Sequence, residues 1–182
     1  MMNNELLDKV IKPGQYIGRE HNAYYKKPAQ DFTKVCLCFP EIYEIGMSSL
    51  GMQILYSLLN EKAQSMCDRA YLPADDMRLL MREQKVPLTG LEIGLSLKDF
   101  DIAGFSISYE MNYTNMLEML FLGGIPILAD QRGLSHPMVI AGGGGVYNPE
   151  PIAAFVDAVC IGDGEAAFLE IINVVRDGKR LG

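Results

Sequence analysis

The sequence predicts an α/β protein with a doubly wound, five-stranded and mainly parallel sheet of the flavodoxin-like type. Short apolar segments, typical of strands buried on both faces, alternate with segments whose apolar residues recur at helical spacing. Such alternation favours parallel strands that are joined by right-handed helical crossovers. A length of 182 residues, 49% of them hydrophobic, suits one domain with a full core.

The predicted elements follow an N-terminal arm, residues 1–30, in which glycines and prolines such as Gly18 and Pro28 interrupt regular structure. The α/β domain is predicted to occupy residues 31–182. Its five strands are predicted at 35–39, 69–72, 101–107, 137–141 and 156–161. A helix is expected to begin after Ser48 or Ser49, either of which suits an N-cap. Further helices are predicted at 73–84, 112–122, 152–155 and 163–176, and a short extended piece at 86–91.

Composition excludes several classes of function. A net charge of −7 leaves no basic surplus for a nucleic-acid backbone, so no nucleic-acid partner is expected. The N-terminus lacks the apolar core of a signal peptide, and no apolar run approaches the ~20 residues that span a bilayer. We therefore expect a cytoplasmic protein without membrane contact. The cysteines are Cys36, Cys38, Cys67 and Cys160. We interpret them as reduced thiols without a zinc or iron–sulfur site, because none forms a C-x-x-C pair.

The expected ligand site lies beyond the carboxyl ends of the strands, where a doubly wound sheet binds its ligands. Glycines there let a ligand approach the backbone, while hydroxyl groups and helix starts supply hydrogen-bond partners. Each loop also has a purely structural interpretation, as a flexible turn or a helix cap. The candidate binding residues are Tyr43, Glu44, Gly46, Ser48, Ser106, Ser108, Tyr109, Gly142, Gly143, Asn148, Asp163 and Glu165.

Several motifs of catalysis and nucleotide binding do not occur in the sequence. There is no G-x-G-x-x-G after the first predicted strand, no phosphate-binding G-x-x-x-x-G-K-[ST] and no G-x-S-x-G. No constellation of residues specifies a reaction. The residues alone therefore predict a binding-type α/β domain without a catalytic centre.

The same loops carry a resemblance to a known family. Taken in this order, four segments resemble the N-terminal, cobalamin-binding-like region of a family of radical SAM proteins, described as iron–sulfur oxidoreductases. The opening Y-I-G-R-E at 16–20 fits the same family. The four segments are F-P-E-I-Y-E-I-G-M-S-S-L-G at 39–51, F-S-I-S-Y-E-M-N-Y-T-N at 105–115, A-G-G at 141–143 with N-P-E-P at 148–151, and I-G-D-G-E at 161–165.

The resemblance implies a domain that packs over a radical SAM barrel. That barrel would bind an iron–sulfur cluster through C-x-x-x-C-x-x-C and cleave S-adenosylmethionine. This chain has no such motif, so the barrel is expected downstream in the same protein. The chain also departs from the cobalamin-binding motif D-x-H-x-x-G, because Arg19 precedes His21 and Leu134 precedes His136. Cobalamin in this domain would therefore lack a histidine ligand from that motif.

Three functional hypotheses follow. The first is the accessory domain of a radical SAM enzyme that holds cobalamin at the strand ends. The second is a cofactor-free domain of the same fold that docks onto the barrel or another partner. The third is an independent nucleotide- or flavin-binding domain. A fold alone does not decide among them.

Overall fold

The predicted doubly wound α/β fold is confirmed. The computed structural model describes residues 4–26, 29 and 31–181. Five parallel strands form one sheet in the order β2-β1-β3-β4-β5, with bounds β1 Thr33–Phe39, β2 Ser65–Tyr71, β3 Ile102–Ser106, β4 Met138–Gly142 and β5 Ala158–Cys160. The chain reverses direction across the sheet between β1 and β3, which is the switch point of a doubly wound fold.

Helices cover both faces of this sheet. The helices of the described residues are α1 Asn4–Leu7, α2 Tyr43–Gly46, α3 Leu50–Glu61, α4 Asp75–Gln84, α5 Asn112–Leu122 and α6 Gly164–Leu181. Two hydrophobic cores, one on each face of the sheet, show which of the longer helices covers which face. Buried residues of α3 and α6 pack with Leu37 and Ile140 of the sheet on one face. Buried methionines of α4 and α5 pack with Ala103 and Val139 on the other face.

Local differences from the predicted elements have simple causes. Strand β2 begins at Ser65, before the predicted 69, because its polar residues are buried and paired rather than exposed. The predicted extended piece at 86–91 is irregular and has one antiparallel bridge, Thr89 to Ser96. The predicted helix at 152–155 is a 3-10 turn over Glu150–Ile152. Among the helices of the described residues, none combines the length and apolar character that crossing a bilayer requires.

The N-terminal arm packs onto the domain where the structure describes it. Helix α1 buries Leu6 in the core beneath α4 and α5, and a 3-10 turn covers Pro13–Tyr16. The hydroxyl group of Tyr16 accepts a hydrogen bond of 3.0 Å from the backbone N–H of Ala74. Predictions for residues 1–3, 27, 28 and 30, including Pro28, lie outside the described residues.

Backbone groups on the outer edge of β2 form hydrogen bonds with side chains and with the loop that precedes β3. The side chain of Asn60 accepts from the N–H of Cys67 at 3.2 Å and donates to its carbonyl at 3.0 Å. The N–H of Leu91 donates to the carbonyl of Arg69 at 2.8 Å. The N–H of Arg69 donates to the carboxylate of Asp68 at 2.7 Å. The backbone groups of Cys67 and Arg69 are therefore satisfied without a further strand.

Candidate functional site

A cavity of about 220 Å³ lies between the sheet and helices α3 and α6, at the carboxyl ends of β3, β4 and β5. Strands β1 and β3 contribute Leu37, Gly104, Phe105 and Ser106, while the loops after β4 and β5 contribute their glycines. The other lining residues are Gly51, Met52, Leu55, Gly142, Gly143, Cys160, Gly162, Asp163, Gly164, Glu165 and Phe168. Five of the candidate binding residues meet there: Ser106, Gly142, Gly143, Asp163 and Glu165.

Small residues on one face of the sheet create this cavity. Side chains alternate between the faces of a strand, so Gly104 and Ser106 face α3 and α6 together with Ile102. The same face carries the bulky Ile102 at the amino end of β3 and Ile140 in the middle of β4, in register with Gly104. Towards the carboxyl ends it carries glycine and serine, which cannot fill the space under the helices.

Two helix N-termini border the cavity. Helix α3 begins after Ser49, whose hydroxyl group accepts a hydrogen bond of 3.5 Å from the N–H of Met52. Helix α6 begins at Gly164 and places the carboxylate of Glu165 in its first turn. Helix N-termini carry partial positive charge and unbonded N–H groups. The two helix starts therefore offer hydrogen-bond donors beside the exposed carboxylates of Asp163 and Glu165.

The glycines of the cavity fall into two groups. A methyl group added at Gly51 or Gly162 would meet no atom within 4 Å, and at Gly142 or Gly164 it would make ordinary contacts of 3.5–3.7 Å. Packing therefore does not require glycine at Gly51, Gly142 or Gly164, whereas a φ of +100° favours it at Gly162. Glycine within a helix or strand costs stability, about 0.5–1 kcal/mol relative to alanine. The absence of these side chains keeps the cavity open.

Gly143 belongs to the other group. Its φ of +103° and the carbonyl oxygen of Ile107, which would lie 2.5 Å from an added methyl group, both require glycine. The chain itself therefore explains Gly143, whether or not a ligand approaches it. A substitution there would test the turn rather than the binding site.

The candidate residues after β1 do not line this cavity. Helix α2 turns them towards β2 and the N-terminal arm. The hydroxyl group of Tyr43 donates to Glu20 at 2.7 Å, and burial with this carboxylate raises the pKa of Tyr43 to about 12. Glu44 pairs with Lys12 at 2.6 Å, and Gly46 packs beneath the ring of Tyr71.

The remaining candidates are at the same edge but outside the cavity. The hydroxyl group of Ser48 donates to a carbonyl of its own turn at 2.8 Å. Tyr109 donates to Glu41, across the switch point between β1 and β3. Ser108 and Asn148 are exposed. Sequence reasoning thus found the correct edge of the sheet for these residues but not their surroundings.

Sequence reasoning also missed residues that shape the cavity. Gly104 lies inside a strand, Leu55 and Phe168 have the spacing of ordinary core positions of helices, and Cys160 is interpreted from the sequence only as a reduced thiol. The alternation of small residues along β3 and β4, Gly104 with Ser106 and then Gly142, is the signal that could have found the cavity floor.

A group of exposed apolar side chains lies in the loops at the same edge of the sheet as the cavity. Met111, after β3, is 76% exposed and Tyr147, after β4, is 72% exposed. We call this group the apolar rim; its members follow β1, β3, β4 and β5 and are Ile45, Met47, Leu50, Met111, Tyr147 and Ile161. Large exposed apolar residues in neighbouring loops are typical of an interaction surface.

A cluster of buried charges lies on the other side of β1. The guanidinium group of Arg69 contacts Glu92 at 2.5 Å and Glu20 at 2.8 Å, and it lies 4.4 Å from the ring centre of Tyr56. Burial raises the pKa of Glu92 to about 9, and a hydrogen bond with the carboxyl group of Asp68 acts in the same direction. Within the described residues, no group of three or more His, Cys, Asp and Glu side chains could hold a metal ion.

One comparison with known proteins gives a match to a family. A family described as the N-terminal region of radical SAM proteins matches residues 51–182, which is well over half of the chain. No curated protein and no solved structure matches the chain. The matched residues include every strand from β2 onwards and both helices that border the cavity. The chain therefore belongs to the family of N-terminal domains of radical SAM proteins.

Proposed function

We propose that this chain is the accessory domain of a radical SAM enzyme and binds cobalamin at the cavity over β3, β4 and β5. The observation that carries the proposal is the group of cavity glycines that packing does not require, at Gly51, Gly142 and Gly164. They leave space at the edge of the sheet where a doubly wound fold binds ligands. Family membership supports the role within a radical SAM protein.

The residues at the cavity fit part of a corrinoid. A corrinoid is far larger than about 220 Å³, so one of its parts would enter the cavity and the rest would lie over the apolar rim. Ser106 and the backbone at Gly142 would hold the entering part, and Glu165 would accept hydrogen bonds at the mouth. Neither His21 nor His136 lines the cavity, so neither would ligate the cobalt there. Cobalamin, when bound, supplies organometallic chemistry to the parent enzyme.

The direct test is a titration of the chain with hydroxocobalamin, followed by visible absorbance. Gly142→Leu should abolish binding, because its side chain would occupy the cavity while the added Cβ makes only ordinary contacts of 3.5–3.7 Å. Gly178→Leu is the matched control, since an added Cβ there meets nothing within 4 Å and the residue does not line the cavity. Circular dichroism should show both variants folded.

Three other results would contradict cobalamin binding at this cavity. Absence of binding up to about 1 mM, where the binding free energy is only ~4 kcal/mol, would favour the cofactor-free docking domain. Binding of flavin mononucleotide in place of the corrinoid would favour an independent flavin-binding domain. Equal affinity of Gly142→Leu and the unmodified chain would place the corrinoid elsewhere on the protein.

The apolar rim supports a second part of the proposal, a contact with the radical SAM domain of the same protein. The family suggests that domain as the partner, and the rim offers exposed apolar side chains beside the cavity. Hydrogen exchange should be slower at Met111 and Tyr147 in the whole parent protein than in this chain alone. The exposed Leu134, on a loop before β4, is the internal control and should not change. Equal exchange at the rim in both proteins would contradict the contact.

A further inference from the structure

Gly104 occupies an unusual position for a glycine, since it lies buried in the middle of the central strand β3. Its neighbours in register are Leu37 on β1 and Ile140 on β4, both large and buried. Glycine weakens a strand interior, and in such a place it marks a close approach of another group. Here the approaching group is the ring of Phe168, from α6.

The ring of Phe168 fits into the notch that Gly104 leaves. A methyl group on Gly104 would lie 2.8 Å from Cζ and 3.4 Å from Cε1 of this ring, and 3.5 Å from Cδ2 of Leu37. Phe168 is 5% exposed and lines the cavity together with Gly104. A side chain at Gly104 would displace the end of the ring, and the unfilled space beside the ring is the cavity.

We infer that Gly104 is a positioning residue, which seats the ring of Phe168 against β3 and thereby keeps the ligand cavity open. The pair sets the depth of the cavity and so limits which part of a ligand enters it. The inference depends on the proposed function only for the identity of the ligand. The cavity itself can be probed with xenon, an apolar atom that occupies apolar cavities.

The test compares four forms of the chain: unmodified, Gly104→Ala, Phe168→Leu and the double variant. Xenon should shift the amide resonances of Ser106, Gly142 and Glu165 in the unmodified chain. Gly104→Ala should lose these shifts, because the displaced ring fills the space. Phe168→Leu alone should increase them, and the double variant should regain them, because leucine lacks the ring atom that the alanine would displace. Gly178→Ala, outside the cavity, should behave as the unmodified chain.

Hydroxocobalamin provides a second, separable measurement. Its affinity should fall about tenfold in Gly104→Ala and return to within about threefold in the double variant. Any of four results would overturn the inference. The xenon shifts could be absent from the unmodified chain or persist in Gly104→Ala. They could also fail to increase in Phe168→Leu or fail to return in the double variant. If the xenon series behaves as expected while no form binds cobalamin, the inference stands and the proposed ligand is wrong.

Discussion

The carboxyl edge of the sheet has two sides that differ in how they are filled. On the β2 side, helix α2, the N-terminal arm and the segment around Glu92 fill the space with paired charges and tyrosine rings. On the β5 side, small residues of β3 and β4 leave a cavity beneath α3 and α6. A doubly wound fold places its crevice at the switch point. Here the filling of one side shifts the open space towards β4 and β5.

One glycine from each side shows two opposite reasons for the residue. On the β2 side, Gly46 has no room for a side chain, because a methyl group would lie 2.6 Å from Cε1 of Tyr71. On the β5 side, Gly51 has room to spare, and a methyl group there meets nothing within 4 Å. Glycine in a sequence therefore indicates open space beside its own backbone only when the packing around it does not already require glycine.

The largest expected effect tests the charges that fill the β2 side. Arg69→Met should lower the free energy of unfolding by about 3 kcal/mol, because the buried carboxyl group of Glu92 loses its hydrogen-bond donor and Glu20 loses its cation. Urea denaturation measures the change. Arg82→Met is the control; Arg82 pairs with Glu118 on the surface with 52% of its side chain exposed, so its loss should cost less than about 1 kcal/mol. Equal losses in both variants would show that the buried cluster does not stabilise this side.

The next effect concerns the pH dependence of the same cluster. The pKa of Glu92 is raised to about 9 by burial, so the folded protein holds a proton that the unfolded chain releases above about pH 4.5. Stability from this group is therefore complete below that pH and declines as the pH rises towards 9. Glu92→Gln, which cannot ionise, should match the unmodified chain near pH 4.5.

Above that pH the Glu92→Gln variant should become progressively more stable than the unmodified chain, with an upper limit of about 1.4 kcal/mol per pH unit. Thermal unfolding across pH 4.5–9 measures the difference between the two proteins. A difference that stays constant with pH would mean that Glu92 ionises normally in the folded state, with Arg69 outweighing the effect of burial.

The smallest effect compares one glycine from each side. Gly46→Ala should destabilise the protein by about 1–3 kcal/mol, because the ring of Tyr71 has to move. Gly51→Ala should stabilise it by about 0.5–1 kcal/mol, since alanine favours the helix and nothing obstructs the methyl group. Differential scanning calorimetry resolves both signs. A destabilised Gly51→Ala variant would remove the distinction between the two sides.

The sequence predicted the fold well because the strands β1, β3 and β4 are mainly apolar and nearly every crossover is a periodic helix. The surroundings of the seven candidate residues that do not line the cavity were harder to predict. Tyr43 and Glu44 follow a strand, but the direction of their side chains depends on Glu20 and Lys12 in the distant arm. Likewise Arg69, within a strand, is stabilised by Glu92, whose surrounding segment has no regular structure to predict. Such pairings over long sequence separations leave no local periodicity.

The outer edge of β2 has a consequence for how this protein meets other chains. Because Asn60 and Leu91 already bond the backbone of Cys67 and Arg69, another polypeptide finds no donors or acceptors at these residues to extend the sheet. An edge protected in this way resists the templated strand addition that begins many aggregates. The shielding of Cys67 thus rests on Asn60, a single side chain of the helix that precedes the strand, and Arg69 relies on Leu91 and Asp68 instead.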